Sequence, residues 1–266
     1  MMQQALDFRA ASDALRDLVA PLDDADFARP TGFKGWTIDA ILRHLHVWNE
    51  AADMSLRDAA AFHAFFDEVK ASLGKGGLPV FEEQRLGGLS GQALVAIWRD
   101  FYRPMADRFA AANPSARVVW AGPSMSVRSS ITARLMETWA HGQAIYDLLG
   151  IVRENEDWIS NVVVIGVNTY GWTFKVRGQT PPEPMPRLKL IAPSGEIWTF
   201  GEENSGERIE GLAEEFAQVV TQTRNIADTA LTVSGPNAAA WMAKAQCFAG
   251  GPEEPPAPGT RRTAGH

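Results

Sequence analysis

The chain has 266 residues, of which 45% are hydrophobic and 21% charged, a balance typical of a packed globular protein that excludes wholesale disorder. Its 25 basic and 32 acidic side chains give a net charge of −7, a sign that disfavours nucleic-acid binding as the main task. Because the sequence contains one cysteine, Cys247, an internal disulfide and a cysteine-based metal site are excluded.

The hydropathy pattern and the N-terminal segment predict where the protein is located. No run of about 18 apolar residues occurs, so we expect no membrane span. Residues 1–9 lack the basic-then-apolar layout of a signal peptide, which leads us to expect a cytoplasmic protein. No segment indicates a partner protein, and we therefore expect the partner to be a small-molecule substrate.

Helical periodicity dominates the N-terminal part of the chain. Apolar residues recur at spacings of three and four between residues 6 and 22, which predicts a first helix. A turn around Pro30 follows, and Thr37 has the side chain of an N-cap for a second helix. This second helical pattern extends from residue 38 to about residue 73, either continuously or with one break.

A glycine-rich stretch at residues 74–88 predicts a long loop after the second helix. A third helix is expected at residues 90–112, where Pro104 must bend or split it, because proline lacks the N–H and clashes one turn back. A fourth helix is expected to run from residue 126 to Gly150, a good residue to end a helix. Helices with one apolar stripe each predict a bundle.

The pattern changes after Gly150. We predict a helix, a β-hairpin, a helix, a strand and a short helix, at residues 158–174, 187–200, 207–220, 230–233 and 237–247. These elements make a small α+β module, and the Pro- and Gly-rich end of the chain indicates a flexible tail. We therefore expect a helical domain at residues 1–152, an α+β domain at 153–250 and a tail at 251–266.

Two residues of the fourth helix are suited to binding a metal ion. Glu137 and His141 are four residues apart, so their side chains share one helix face at a distance of about 6 Å. A carboxylate and an imidazole placed in this way can chelate one cation. His44, in the middle of the second helix, would complete a site with three protein ligands and a position open to water or substrate.

The spacing of Glu137 and His141 has an alternative explanation, since most such pairs on helices are solvated or hydrogen-bonded. His46 is expected on a different face of its helix, in solvent, whereas His63 fits either a functional or a structural role, with the structural role favoured. Cys247 is expected to be a packed small hydrophobe.

Aromatic residues accompany the candidate ligands along the sequence. Trp36, Trp48 and Trp139 flank His44 and His141, and these three side chains are expected to line an apolar substrate pocket.

Two segments carry a resemblance to a known family: GWTIDAILRHL at residues 35–45 and ARLMETWAHGQ at residues 133–143. They resemble the DinB-like superfamily and, within it, the branch that contains mycothiol-dependent maleylpyruvate isomerase. Shorter segments agree in order along nearly the whole chain, at residues 120–126, 192–198, 235–241 and 245–250. Together they resemble an uncharacterised family of actinobacterial metal-binding proteins within this branch.

This resemblance implies an α+β fold class, with an N-terminal DinB-like four-helix bundle followed by a small sterol-carrier-like α+β domain. It also implies a divalent metal, usually zinc, bound by His44, Glu137 and His141, and mycothiol as a cosubstrate. The implied function is a metal-dependent thiol transferase or isomerase. A bound metal lowers the pKa of a thiol, and the resulting thiolate adds to an electrophilic small molecule.

Arg134, one turn before Glu137, has two candidate roles. It can be a catalytic residue that holds a substrate carboxylate or a developing enolate, or it can form an ion pair that orients Glu137. The chain departs from its relatives at Ala144, where they commonly have Asp, and at residues 161–166, where the largely apolar NVVVIG replaces the expected polar, histidine-containing sequence. These departures favour a larger, more hydrophobic substrate.

Two other functions remain open at this point. The first is a thiol-independent metal enzyme of secondary metabolism that hydrolyses, opens an epoxide or cyclises its substrate. The second is a non-catalytic binder, in which the two domains enclose a hydrophobic ligand without a metal.

Overall fold

The computed structural model describes residues 1–74, 76–203 and 206–263. The chain forms two compact units, Met1–Ile145 and Tyr146–His266. The first unit is helical and the second contains a small sheet, in the order expected from the sequence. Over the described ranges, none of the helices combines the length and the apolar character that crossing a membrane requires.

The first unit consists of helices and one short β-ribbon. Its helices are α1 (Gln3–Val19), α2 (Ile38–Arg57), α3 (Ala59–Ser72), α4 (Gly77–Arg85), α5 (Gly91–Ala111) and α6 (Val127–Leu149), whose last turn lies in the second unit. The ribbon pairs β1 (Arg117–Val118) and β2 (Met125–Ser126) in antiparallel fashion.

Side-chain caps determine where α2 and α3 begin. The hydroxyl of Thr37 accepts a hydrogen bond from the N–H of Ala40 at 3.1 Å, which confirms the predicted start of α2. The carboxylate of Asp58 accepts from the N–H groups of Ala60 and Ala61 at 3.0 and 3.1 Å, and α3 starts there. The helical pattern of residues 38–73 is therefore two helices with one break.

The prediction of a long loop at residues 74–88 is wrong, because α4 occupies most of this segment. Glycines with positive φ mark both ends of this helix: Gly76 precedes it, Gly77 is its first residue, and Gly87 and Gly88 follow it. Three apolar side chains of the segment pack against the cluster around Val47, Phe62 and Phe65, namely Leu78, Phe81 and Leu86. The glycines therefore bound a short helix with one packed face rather than preventing one.

Helix α5 continues through Pro104 as one helix, so of the two predicted effects of this proline the split does not occur and the bend stays a prediction. Proline leaves the carbonyl four residues earlier, that of Asp100, without its helical partner. Pro104 and Asp100 are both exposed, so water can bond to this carbonyl.

The second unit combines four strands with short helices. The helices are α7 (Ser160–Asn168), α8 (Tyr170–Lys175), α9 (Ala213–Val220) and α10 (Pro236–Met242). The strands are β3 (Arg187–Ile191), β4 (Ile197–Phe200), β5 (Arg208–Leu212) and β6 (Thr232–Ser234), in the spatial order β4-β3-β5-β6. Strands β3 and β5 are parallel and the other neighbours are antiparallel, which confirms the predicted β3–β4 hairpin.

Two predictions for this unit are wrong. The helix expected at residues 207–220 begins only at Ala213, because β5 precedes it and places the buried Ile209 between β3 and β6. The helix expected at residues 158–174 is divided into α7 and α8 at Thr169.

Hydrogen bonds hold the last described segment, residues 251–263, where composition predicts a flexible tail. The side-chain oxygen of the fully buried Gln246 accepts from the N–H of Glu253 at 3.0 Å. The amide of Asn225 donates to the carbonyl of Pro256 at 2.8 Å. Buried amide side chains need such partners, and the segment supplies them.

Candidate metal centre

Helices α2 and α6 bring together the three residues expected to bind a metal. His44 lies on α2, whereas Glu137 and His141 lie one turn apart on α6. Nε2 of His141 is 3.0 Å from Oε2 of Glu137, and Nε2 of His44 is 3.8 Å from the same oxygen. One ligand atom from each residue lies within 4.8 Å of the other two.

This group of residues fits a divalent ion such as zinc. Zinc binds imidazole nitrogen and carboxylate oxygen at about 2.0–2.2 Å, so its ligands must lie within about 4 Å of one another, close to the separations here. The side chains of His44, His141 and Glu137 are 11%, 12% and 24% exposed. The site is therefore enclosed but reached by solvent, as an open ligand position requires.

A fourth residue, Glu82 of α4, contacts the site and was not predicted from the sequence. Its Oε1 atom accepts from Nδ1 of His44 at 2.8 Å and from Nε1 of Trp48 at 3.0 Å. Because a carboxylate accepts at Nδ1, this nitrogen carries a proton, and in the neutral form of the imidazole the lone pair lies on Nε2, which faces Glu137. Metal-binding histidines commonly have such a carboxylate behind them.

The carboxylates determine the charge states of the site. Burial disfavours the protonated form of His44, but Glu82 and Glu137 outweigh this effect and raise the pKa of His44 to about 9. Burial lowers the pKa of His141. Burial would raise the pKa of Glu137, yet hydrogen bonds from His141 and His44 hold the pKa of this carboxyl well below its usual range. One cation, either a proton on His44 or a metal, therefore suits the site.

Aromatic rings surround the histidines. Trp36 stacks on His141, with ring centroids 5.8 Å apart and 1° between the planes, and its edge approaches His44 at 5.3 Å. Phe33 lies edge-on to His141 at 4.8 Å, and Trp48 lies 6.1 Å from His44. Phe33, Trp36 and Trp48 are half-buried, so they present apolar surface at the site.

The other two candidate site residues lie in the interior. Trp139 is fully buried, and an incoming molecule cannot contact it in this conformation. Arg134 is 3% exposed and donates from Nε to Oδ1 of Asn49 at 3.0 Å. Burial lowers the pKa of Arg134 to about 10, against the opposing effect of Glu137 and Glu82, so this side chain is cationic at neutral pH.

Three further predictions concern residues outside the ligand group. His46 is buried, which makes its predicted solvent position wrong: its ring lies edge-on to Phe101 at 5.4 Å because α2 also packs against α5. His63 is exposed on α3. The thiol of Cys247 is buried, which confirms its predicted packing.

The sequence is similar to known proteins over most of its length. A family model described as the mycothiol maleylpyruvate isomerase N-terminal domain matches residues 8–146. The chain is 34% identical over 246 residues to an uncharacterised protein of Mycobacterium tuberculosis, found in strains CDC 1551 / Oshkosh and ATCC 25618 / H37Rv. This match covers 92% of the chain and 95% of its relative.

Solved structures share the fold. The crystal structure of the mycothiol-dependent maleylpyruvate isomerase matches with a TM-score of 0.54 and 14% identity, over 82% of this chain and 87% of that chain. A histidine-to-alanine mutant of that isomerase matches over the same shares, with a TM-score of 0.52 and 15% identity. These likenesses support the order of a helical domain and a small sheet domain. The chain belongs to the mycothiol maleylpyruvate isomerase N-terminal domain family.

Proposed function

We propose that this protein is a metal-dependent enzyme that activates a thiol for addition to an electrophilic small molecule. Its family favours mycothiol as this thiol. The observation that carries the proposal is the convergence of His44 with Glu137 and His141 in a recess that solvent reaches. These three side chains would hold the ion, for which zinc is our expectation from the donor set.

The charges of the site favour an anionic ligand. When bound there, a divalent metal supplies the Lewis acidity that lowers the pKa of a thiol and favours the thiolate at neutral pH. With neutral histidines and ionised Glu137, the ligand set leaves a net charge of +1. The negative charge of Glu82 and the positive charge of Arg134 offset each other, so the net charge of the site with these neighbours is still +1. A bound thiolate would neutralise this charge.

The protein's own residues would then serve the addition in distinct ways. Phe33, Trp36 and Trp48 offer an apolar wall that would exclude water from the electrophile. As the sulfur–carbon bond forms, the electron pair of the attacked double bond moves away from the attacked carbon, and the rest of the substrate becomes negatively charged. The buried cation of Arg134 would stabilise this charge through space. Elimination of the thiol after bond rotation would complete an isomerisation, whereas proton uptake from water would leave a thioether.

Metal content and thiol chemistry test the proposal in sequence. Protein purified without a histidine tag should contain about one equivalent of zinc by elemental analysis, lost in Glu137→Ala and His141→Ala. His63→Ala, which removes an exposed imidazole, is the matched control and should retain the metal. The loaded protein is then incubated with mycothiol and a panel of activated alkenes and epoxides.

The outcomes separate the alternatives. Consumption of thiol and electrophile that depends on the metal supports the proposal. A protein that binds metal but turns over electrophiles without thiol would favour the hydrolytic or cyclising function instead. A wild-type protein without affinity for divalent ions would overturn the metal-dependent function entirely.

A further inference from the structure

The carboxylate of Glu82 lies behind the metal centre, on a helix that the sequence does not reveal. We propose that Glu82 is a positioning residue of this centre: it fixes His44 in the tautomer and orientation that present Nε2 to the ion, and it anchors Trp48 beside it. This inference rests on the proposed function, because it concerns the same ion.

The first argument is the cost of keeping Glu82 where it is. The residue is 1% exposed, and its Oε2 atom has no hydrogen-bond partner among the residues that the structure describes. A buried carboxylate with an unsatisfied oxygen destabilises a fold, and apolar replacements of buried ion pairs are often neutral or stabilising. Stability therefore does not account for this side chain, whereas its contact with His44 does.

The second argument is the direction of the imidazole. A neutral histidine has one N–H, and its two tautomers differ little in energy without a partner. With Nδ1 bonded to Glu82 at 2.8 Å, the proton is held there and the lone pair is confined to Nε2. This nitrogen lies 3.8 Å from Glu137, on the side of the other ligands. The negative charge of Glu82 also makes Nε2 a stronger donor to a cation.

The third argument is that one oxygen serves both the ligand and the aromatic wall. Oε1 of Glu82 accepts from Nε1 of Trp48 as well as from His44. Trp48 is further held edge-on against Phe65 at 6.0 Å. Phe81, one residue before Glu82, contacts Phe65 at 6.0 Å from α4. The carboxylate is therefore fixed by packed aromatic rings on both α2 and α4.

The neighbouring residue provides a matched control. Glu83 has the same charge and lies on the same helix, but its side chain is 56% exposed and its contact is Arg43 at 3.8 Å. A surface pair of this kind contributes little to stability or to a distant site. Comparing Glu82→Gln with Glu83→Gln therefore separates the loss of this contact from a general loss of negative charge.

The experiment measures zinc affinity by competition with a chromophoric chelator, for the full-length protein and both variants. Glu82→Gln should bind zinc about 10- to 100-fold more weakly than wild type, while Glu83→Gln should stay within about twofold. Trp48→Phe removes the Nε1–H donor but keeps an aromatic side chain and the Glu82–His44 contact, so its zinc affinity should resemble that of Glu83→Gln. If Glu82→Gln is unfolded by circular dichroism, Glu82→Asp replaces it, because this variant keeps the charge but withdraws it from Nδ1.

A second readout addresses the tautomer directly. In the zinc-loaded wild type, the ¹⁵N NMR spectrum should assign a protonated Nδ1 to His44, with a strongly deshielded proton that shifts upfield in Glu82→Gln. Equal zinc affinities of wild type and Glu82→Gln would overturn this inference and leave the proposed function intact. A wild type that binds no zinc would overturn both.

Discussion

Oε1 of Glu82 lies 2.8 Å from Nδ1 of His44, and this places the imidazole between two carboxylates, because its other nitrogen faces Glu137 at 3.8 Å. An imidazole in this position attracts a proton when no other cation is present. A metal ion must displace this proton, so metal binding and protonation are linked.

The first prediction follows from this competition. Because the pKa of His44 is raised to about 9 in the metal-free protein, zinc binding near neutral pH should release about one proton per ion. The apparent affinity should then rise about tenfold per pH unit up to pH 9 and level off above it. Calorimetry in buffers of different ionisation enthalpy measures the proton count, and binding without proton release at pH 7 would contradict the assignment.

The second prediction concerns Arg134, whose charge faces Glu137 and Glu82. Arg134→Met should lower the free energy of unfolding of the metal-free protein by about 3 kcal/mol, because it removes the fixed cation beside Glu137 and Glu82 and leaves these carboxylates only the proton on His44. Zinc affinity should not fall, since the variant removes a repulsive charge, and zinc should stabilise the variant more than wild type. Urea unfolding with and without zinc measures both effects. A loss of zinc binding would instead assign Arg134 the orienting role on Glu137.

The third prediction tests the packing of the second unit. A methyl group at Gly166 of α7 would lie 2.8 Å from Val220 and 3.0 Å from Phe216 on α9. Gly166→Ala should therefore destabilise the protein by about 1–3 kcal/mol through overpacking. Gly171→Ala is the control: its nearest atom is 3.8 Å away, and helix propensity favours alanine by up to about 1 kcal/mol. Equal melting temperatures for both variants would show that α7 and α9 do not pack this closely.

The fourth prediction concerns Asp13 of α1. Burial acts to raise the pKa of this carboxyl, but hydrogen bonds from Tyr102 at 2.5 Å and Arg103 at 2.8 Å outweigh it, so the pKa is lowered from 3.8. A lowered pKa stabilises the fold above the unfolded value of 3.8, and this contribution disappears as the pH falls through the folded value.

Asp13→Asn should accordingly cost about 1.5–2 kcal/mol at neutral pH, the lower part of the range for hydrogen bonds to a charged group. The difference from wild type should shrink in urea titrations repeated at successively lower pH below 3.8. The exposed Asp107→Asn provides the baseline for a surface carboxylate on α5. A penalty independent of pH would mean that the charge of Asp13 is not the stabilising feature.

Local patterns explain why the sequence predicts part of the site. The four-residue spacing of Glu137 and His141 places both on one face of α6, and any helix would do so. His44 is a natural third ligand from its mid-helix position, and the family resemblance supports the same residue. Glu82 carries no such signal, because 38 residues and a glycine-rich stretch separate it from His44, and tertiary packing alone brings them together.

The same distinction applies to the fold. Thr37 and the β3–β4 hairpin depend on near neighbours, and their sequence signals predict them correctly. Strand β5 depends on partners from distant segments, since Ile209 pairs with Leu188 and Val233, and its own residues continue into the amphipathic pattern of α9. Helix α4 is likewise stabilised by the aromatic cluster that covers it rather than by its propensity.

The parallel stacking of Trp36 on His141 gives the protein an intrinsic optical probe. Indole emission responds to a change of charge on a neighbouring ring, and a cation bound at the proposed site would alter the electron distribution of that imidazole. Occupancy can therefore be followed by fluorescence in unlabelled protein, and subtraction of the Trp36→Phe spectrum isolates this signal from the emission of the other tryptophans.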